Sequence, residues 1–272
     1  MLMVDKHPGR IVVKVGTSTV TNEQGDIDIR TIELIVRQIA GIEARGYQVI
    51  LVSSGAIAVG ANRMRMKEKP SSVRDKQAAA AVGQCGLMHL YDQLFAEYGR
   101  LVAQILLDNR DVEDAERRHN LQNTFDALLS HGVIPVVNEN DSVSLAEIES
   151  EKKRFSDNDM LGAIVAAFVG AEELMLLTDT RGLYDKDPAH HTDASLIGEV
   201  AAIDEKIMAL AEGSSSGRGR GGMITKLEAA EYATKRGITV HIAYGREEDV
   251  LYRLTEGERC GTRFLPVKDH TA

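Results

Sequence analysis

Four short apolar runs set the limits on what this chain can fold into. They are Arg10-Ile-Val-Val-Lys-Val-Gly16, Gln48-Val-Ile-Leu-Val-Ser-Ser-Gly55, Val133-Ile-Pro-Val-Val-Asn138 and Glu173-Leu-Met-Leu-Leu-Thr-Asp179. Each is rich in aliphatic residues, runs without polar alternation, and breaks off into small polar or acidic residues. Such runs read as strands buried on both faces of a sheet. Between and around them the spacing changes to a helical one: Ile32, Ile35, Val36, Ile39 and Ile42 recur every three or four residues, with Gly46 placed to end the helix. Helices are also expected over 56–66, 75–98 (broken at Gly83 and Gly86), 120–130, 161–169 (capped by Ser156 or Asp157) and from Met223 to about residue 236. Three more strands are expected at 101–107, 239–244 and 262–265. Pro135 removes a ladder donor and points to an edge position for its strand.

Strands that alternate with helices along the whole length imply an α/β fold. The expected architecture is a three-layer α/β/α sandwich around a mostly parallel sheet, formed by a single domain over 8–267. In such a sheet ligands bind beyond the carboxyl ends of the strands. Those ends carry Lys14, Ser54 and Gly55, Asn138 and Asp141, and Thr178 and Asp179, and Asn158 and Asp159 stand at a helix start. A lysine inside a buried strand is costly without a partner. It reads either as a surface residue of an edge strand or as a group that meets a phosphate. No histidine lies near a serine or cysteine in a nucleophile arrangement, and His190-His191 sits in a turn-rich loop and reads as surface.

The segment Gly213-Ser-Ser-Ser-Gly-Arg-Gly-Arg-Gly-Gly-Met-Ile-Thr-Lys226 runs straight into a helical pattern. Taken alone it suits either a flexible linker or a loop whose backbone N–H groups meet an anion at a helix N-terminus. Gly217, Gly219 and Gly222 spell G-x-G-x-x-G, but no strand precedes them, so a dinucleotide fingerprint is disfavoured. No P-loop motif occurs. Lysines with glycine-rich backbone nonetheless suit phosphoryl transfer, which requires positioning and charge neutralisation more than covalent help.

Composition narrows the class further. With 272 residues and a net charge of −9, the chain lacks the basic excess of a nucleic-acid coat. Cys85 and Cys260 have no ligand-spaced neighbours, which argues against zinc or a disulfide framework, and no metal-ligating residue is assigned. No apolar run is long enough to span a membrane and nothing resembles a signal peptide, so a cytoplasmic setting without membrane or nucleic-acid partners is expected.

The motifs KVGTS (14–18), VSSGAIAVG (52–60), KQAAAAVGQ (76–84), NENDSV (138–143), SDND (156–159), LLTDTRGLYDKDP (176–188) and GGMITKL (221–227) occur in this order. Together they resemble the glutamate 5-kinases of the amino acid kinase family, over about Arg10 to Pro266. The resemblance implies the amino acid kinase fold and the ATP- and Mg²⁺-dependent phosphorylation of the γ-carboxylate of L-glutamate, at the start of proline synthesis. It implies that Ser54, Gly55, Asp141 and Asn158 contact glutamate. Lys14 and Lys226 would neutralise the transferring phosphoryl group, with Asp159 holding them. Lys14, Thr178, Asp179 and the stretch Arg220, Gly221, Gly222, Met223, Ile224, Thr225, Lys226 would bind the nucleotide.

The same resemblance implies feedback inhibition by proline and a homo-oligomer, dimer or tetramer. Members of this family usually have Gly where Ser156 stands and Thr where Arg220 stands. Many also carry a C-terminal RNA-binding-like PUA domain, for which no room is expected here. Two alternatives stay open: a non-catalytic glutamate or proline sensor on the same fold, and another amino acid kinase such as acetylglutamate kinase.

Overall fold

The computed structural model describes residues 9–22, 24–143, 158–212 and 222–267. The first strand, β1 (Arg10–Val15), is followed at Gly16 by a single turn, α1 (Thr17–Val20). Helix α2 (Ile29–Ala44) starts where the Asp28 carboxylate accepts from Thr31 N–H at 3.1 Å, and it ends at Gly46, whose φ of +94° only glycine adopts without strain. Strand β2 (Gln48–Ser53) leads into α3 (Ala56–Arg63), α4 (Val73–Glu97) and β3 (Leu101–Leu107). The polar stretch after β3 holds α5 (Asn109–Glu113), which a capping box on Asp108 starts, and then α6 (Ala115–Ser130). The rest of the order is β4 (Val133–Glu139), α7 (Asn158–Val169), β5 (Glu173–Thr178), β6 (Glu199–Val200), α8 (Glu205–Glu212), α9 (Met223–Thr234), β7 (Thr239–Tyr244), α10 (Val250–Thr255) and β8 (Thr262–Phe264).

The strands form one sheet in the order β3-β4-β2-β1-β5-β7-β8-β6. Every pairing from β3 to β7 is parallel; β8 runs antiparallel to β7, and β6 parallel to β8. The four polar strand ends of the sequence therefore come from four neighbours, β4-β2-β1-β5, and lie along one edge.

Side chains alternate across the sheet and build two cores. Ile11, Val13, Val15, Val49 and Leu51 pack with Ile35 and Ile39 of α2, Tyr91 and Phe95 of α4 and Leu251 of α10. Val12, Ile50 and Val52 point the other way, toward Phe125 of α6, Leu161 and Val165 of α7 and Leu227 of α9. This is the three-layer arrangement expected from the alternation. The same period of two puts Lys14 on the Val12 face, underneath α7. β1 is central, so the edge-strand reading of Lys14 is wrong.

Two further expectations are corrected. Pro135 does not mark an edge: β4 lies between β3 and β2. Its ladder with β2 begins at Val136, one residue beyond the proline, so the missing N–H falls where no pairing with β2 has started. Nor do Gly83 and Gly86 break α4, which runs unbroken for 25 residues. A Cβ on Gly83 would stand 1.8 Å from the Ala56 carbonyl oxygen, and one on Gly60 would stand 1.7 Å from that of Ala79. These glycines let α3 and α4 touch backbone to backbone, an interhelical contact that any side chain would wedge apart.

Candidate active site

Helix α7 carries the centre of the site. Its first-turn residue Asp159 is 1% exposed and lies directly over β1. Lys14 Nζ donates to Asp159 Oδ1 at 2.5 Å, and Lys226 Nζ, from the first turns of α9, donates to Oδ2 at 3.1 Å. Thr225 Oγ1 lies 3.2 Å from Oδ2 and 3.0 Å from Gly222 O, sharing its hydrogen between them. Gly162, one turn along α7, leaves room for the Lys14 stem: a Cβ there would come 3.3 Å from Lys14 Cβ. The lysines are 5% and 7% exposed, so three ionised groups share a nearly dry site.

Burial alone would raise the Asp159 carboxyl, but the charges and hydrogen bonds of Lys14 and Lys226 more than reverse this and hold it at about 2. The carboxylate is therefore ionised throughout the physiological range. Two ammonium groups against one carboxylate leave the trio with one positive charge in excess, inside a chain of net charge −9. Two ammonium groups gathered at one place suit an anion. The N-terminal turns of α7 and α9 add partial positive charge at the same place.

Beside the charges lies a neutral network. Asn158, the residue before Asp159, donates through Nδ2 to Ser54 Oγ at 2.8 Å and to Asn138 Oδ1 at 3.1 Å. Asn138, 2% exposed at the end of β4, donates through its own Nδ2 to Gln84 Oε1 at 2.9 Å, and its Oδ1 accepts from Glu139 N–H at 2.9 Å. Ser54 is fixed by a hydrogen bond from its N–H to Val15 O at 3.1 Å. Gly55 caps α3 with φ +98°, and a Cβ there would reach 2.7 Å from Val20 Cγ2, so the turn admits only glycine. Asp141 is half-buried in the turn three residues beyond Asn138, at the same strand end.

At the end of β5, Thr178 is buried and donates through Oγ1 to exposed Asp179 at 3.1 Å. Among the described residues this pair bonds internally rather than to the lysine cluster. Gly222 caps α9, Met223 is half-buried and Ile224 is exposed. Arg220, Gly221, Ser156 and Asp157 lie outside the described residues.

The family model described as "Amino acid kinase family" matches residues 9–244. The chain belongs to the amino acid kinase family. It is 47% identical over 263 residues to the glutamate 5-kinase of Clostridium perfringens, with 97% of each chain covered. To the glutamate 5-kinase of Clostridium acetobutylicum it is 49% identical over 257 residues, with 94% of each covered. In fold it is similar to carbamate kinase from Giardia lamblia bound to AMP-PNP, with a TM-score of 0.64, 18% identity, and 95% of this chain and 99% of that chain covered.

The residues present suit a metal ion that arrives on nucleotide phosphates better than one caged by protein. Among the described residues no group of three His, Cys, Asp or Glu side chains is placed to hold an ion, and the Asp159 oxygens already serve two lysines and a threonine. Mg²⁺ commonly keeps waters and phosphate oxygens as its ligands, with few from protein. At the β5 end Thr180 Oγ1 is buried without a protein partner among the described residues, an unspent polar atom next to Asp179.

Sequence reasoning passed over two members of the neutral network. Asn138 enters the sequence reading only as a polar strand end and the start of NENDSV, and Gln84 only as the last residue of KQAAAAVGQ; neither is assigned a role. Gln84 stands in an alanine-rich helix and reads as solvent-facing. The signal that could have found it is its spacing of seven from Tyr91, two turns along the same face of α4. Tyr91 OH lies 2.9 Å from Ser53 Oγ, and burial pushes its phenol up to about 12 in spite of that bond. Both residues fasten α4 to strand ends.

Proposed function

We propose that this chain transfers the γ-phosphoryl group of Mg-ATP to the γ-carboxylate of L-glutamate, giving L-glutamyl 5-phosphate and ADP for proline synthesis. The observation that carries this reading is the buried Lys14–Asp159–Lys226 cluster, two ammonium groups on one carboxylate, at the carboxyl ends of the central strands. The identity to relatives named glutamate 5-kinase over nearly the whole chain supports the acceptor.

A carboxylate acceptor is already ionised at neutral pH, so the reaction requires no general base. One carboxylate oxygen of glutamate attacks the γ-phosphorus, the bond from phosphorus to the bridging oxygen of ADP breaks, and no proton changes hands. Lys14 and Lys226 neutralise the phosphoryl oxygens as charge spreads over them. Asp159 keeps the two ammonium groups apart and aimed, so they need not reorganise during the transfer. Mg²⁺ on the nucleotide supplies further neutralisation of the phosphates.

Ser54, Gly55, Asp141 and Asn158 hold glutamate in this reading. Thr178, Asp179 and the segment from Arg220 to Lys226 hold the nucleotide, so the N-terminal part of a single domain over 8–267 carries mainly the acceptor and the C-terminal part mainly ATP. Proline acts as a feedback inhibitor at or near the acceptor subsite, and the chain works as a homo-oligomer. A cytoplasmic setting accords with its unpaired cysteines and with no described helix being long and apolar enough to cross a membrane.

Purified protein with Mg-ATP should form ADP only when glutamate is present, with N-acetylglutamate, aspartate and UMP failing to substitute. Equal turnover of N-acetylglutamate would overturn the acceptor assignment.

A further inference from the structure

The Asn138 amide has its polarity set by the backbone. Glu139 N–H can only donate, so the Asn138 atom that it meets at 2.9 Å is Oδ1. The far end of that amide is then Nδ2, also only a donor, so Gln84 has to present Oε1 to it at 2.9 Å. Asn138 Oδ1 takes a second hydrogen bond, at 3.1 Å, from Asn158, which must therefore turn Nδ2 inward. The other Nδ2 hydrogen goes to Ser54 Oγ at 2.8 Å. From one backbone N–H onward, each step leaves a single choice.

This chain of choices decides what remains for a ligand. Asn158 has spent both donors inside the protein and keeps Oδ1, an acceptor. Ser54 has accepted and keeps its hydroxyl hydrogen, a donor. Among the described residues neither has a protein partner. An amino acid carries the two matching groups, an ammonium for the acceptor and a carboxylate for the donor.

We infer that Gln84 is a positioning residue of the acceptor subsite, holding Asn138, and through it Asn158, in the one amide polarity that shows an acceptor to a substrate ammonium and frees the Ser54 hydroxyl for a carboxylate. The inference rests on the amino-acid acceptor proposed above. Without Gln84 the buried Nδ2 of Asn138 loses its acceptor, and apart from Asn158 only the Glu139 N–H, among the described residues, is left to hold that amide. Asn158, held through a loosened Asn138, then turns over more often and sets Nδ2 against an ammonium, donor against donor. The helix seat makes the hold firm, because α4 is also tied to β2 through Tyr91 and Ser53 and pressed onto α3 at Gly60 and Gly83.

Gln84→Met removes the acceptor and keeps the side-chain length. Its glutamate KM should rise about tenfold, the effect of losing one buried hydrogen bond, with the ATP KM within about twofold of the parent. Gln84→Glu, which keeps an oxygen toward Asn138, should recover most of that loss. An independent readout is proton exchange at the Asn158 side-chain amide, followed by NMR, which should quicken in Gln84→Met.

An unchanged glutamate KM, equal rises in both KM values, or unchanged amide exchange would each overturn the role of Gln84. A parent protein that turns over no glutamate would instead overturn the functional reading, and the exchange comparison would still decide the role of Gln84.

Discussion

At the ends of β1 and α9 the site is built of charges; at the ends of β2 and β4 it is built of amides and a hydroxyl. Lys14, Asp159 and Lys226 form a buried ion cluster, whereas Ser54, Asn138, Asn158 and Gln84 form a neutral hydrogen-bond chain. The two meet at the start of α7, where Asn158 serves one and Asp159 the other. The difference teaches a division of labour. Charges that stay fixed while a phosphoryl group passes stabilise the transition state more than the bound substrates. Oriented amides, by contrast, recognise a substrate whose ammonium and α-carboxylate do not change during the reaction.

The largest expected effect falls on the charged side. Lys226→Ala should lower kcat by about 10³-fold, comparable with removing an oxyanion donor, as steady-state ADP formation would measure. Asp159→Asn should follow, with a loss of about 3 kcal/mol in unfolding free energy at neutral pH, because it leaves two buried ammonium groups without their carboxylate. Its pH dependence has a definite sign. The folded carboxyl is held at about 2, below its ordinary 3.8, so its stabilisation is complete above that ordinary value and fades as pH falls through about 2. The gap between parent and Asp159→Asn in denaturant melts should therefore narrow on acidification below pH about 4. A constant gap would mean that the cluster does not set this ionisation.

The smallest effect tests whether burial is what gives the cluster its weight. Lys235, just past the end of α9, pairs with Glu231 at 2.6 Å in an exposed position. Lys235→Ala should cost less than about 0.5 kcal/mol, since solvent screens an exposed pair. A loss as large as that of Asp159→Asn would erase the contrast between buried and exposed charge.

Of the charged half, Lys14 stood out in the sequence because it breaks a rule, whereas Asp159 and Lys226 were assigned only through the family resemblance. A lysine near the end of Arg10–Val15 is costly to bury without a partner, so the sequence left it either on an edge strand or against a phosphate. The neutral half breaks no rule. Asn and Ser after a strand are ordinary turn residues, and Gln84 in an alanine-rich helix is an ordinary surface choice, so only the three-dimensional seat of α4 shows what it does.

The misreadings have the same root. Gly83 looked like a break because glycine weakens an isolated helix, but tertiary contact with Ala56 outweighs that propensity here. Pro135 looked like an edge signal because the missing N–H was weighed without knowing where the ladder to β2 begins. Short elements such as β6 and α5 carry too few residues for a period to register.

The division of labour can be tested directly by measuring kcat and the glutamate KM for Asn158→Ala beside Lys226→Ala. Asn158→Ala should raise KM by at least about tenfold with a smaller change in kcat, while Lys226→Ala should lower kcat and leave the glutamate KM within a few-fold. Both variants moving the same parameter to the same extent would contradict that division.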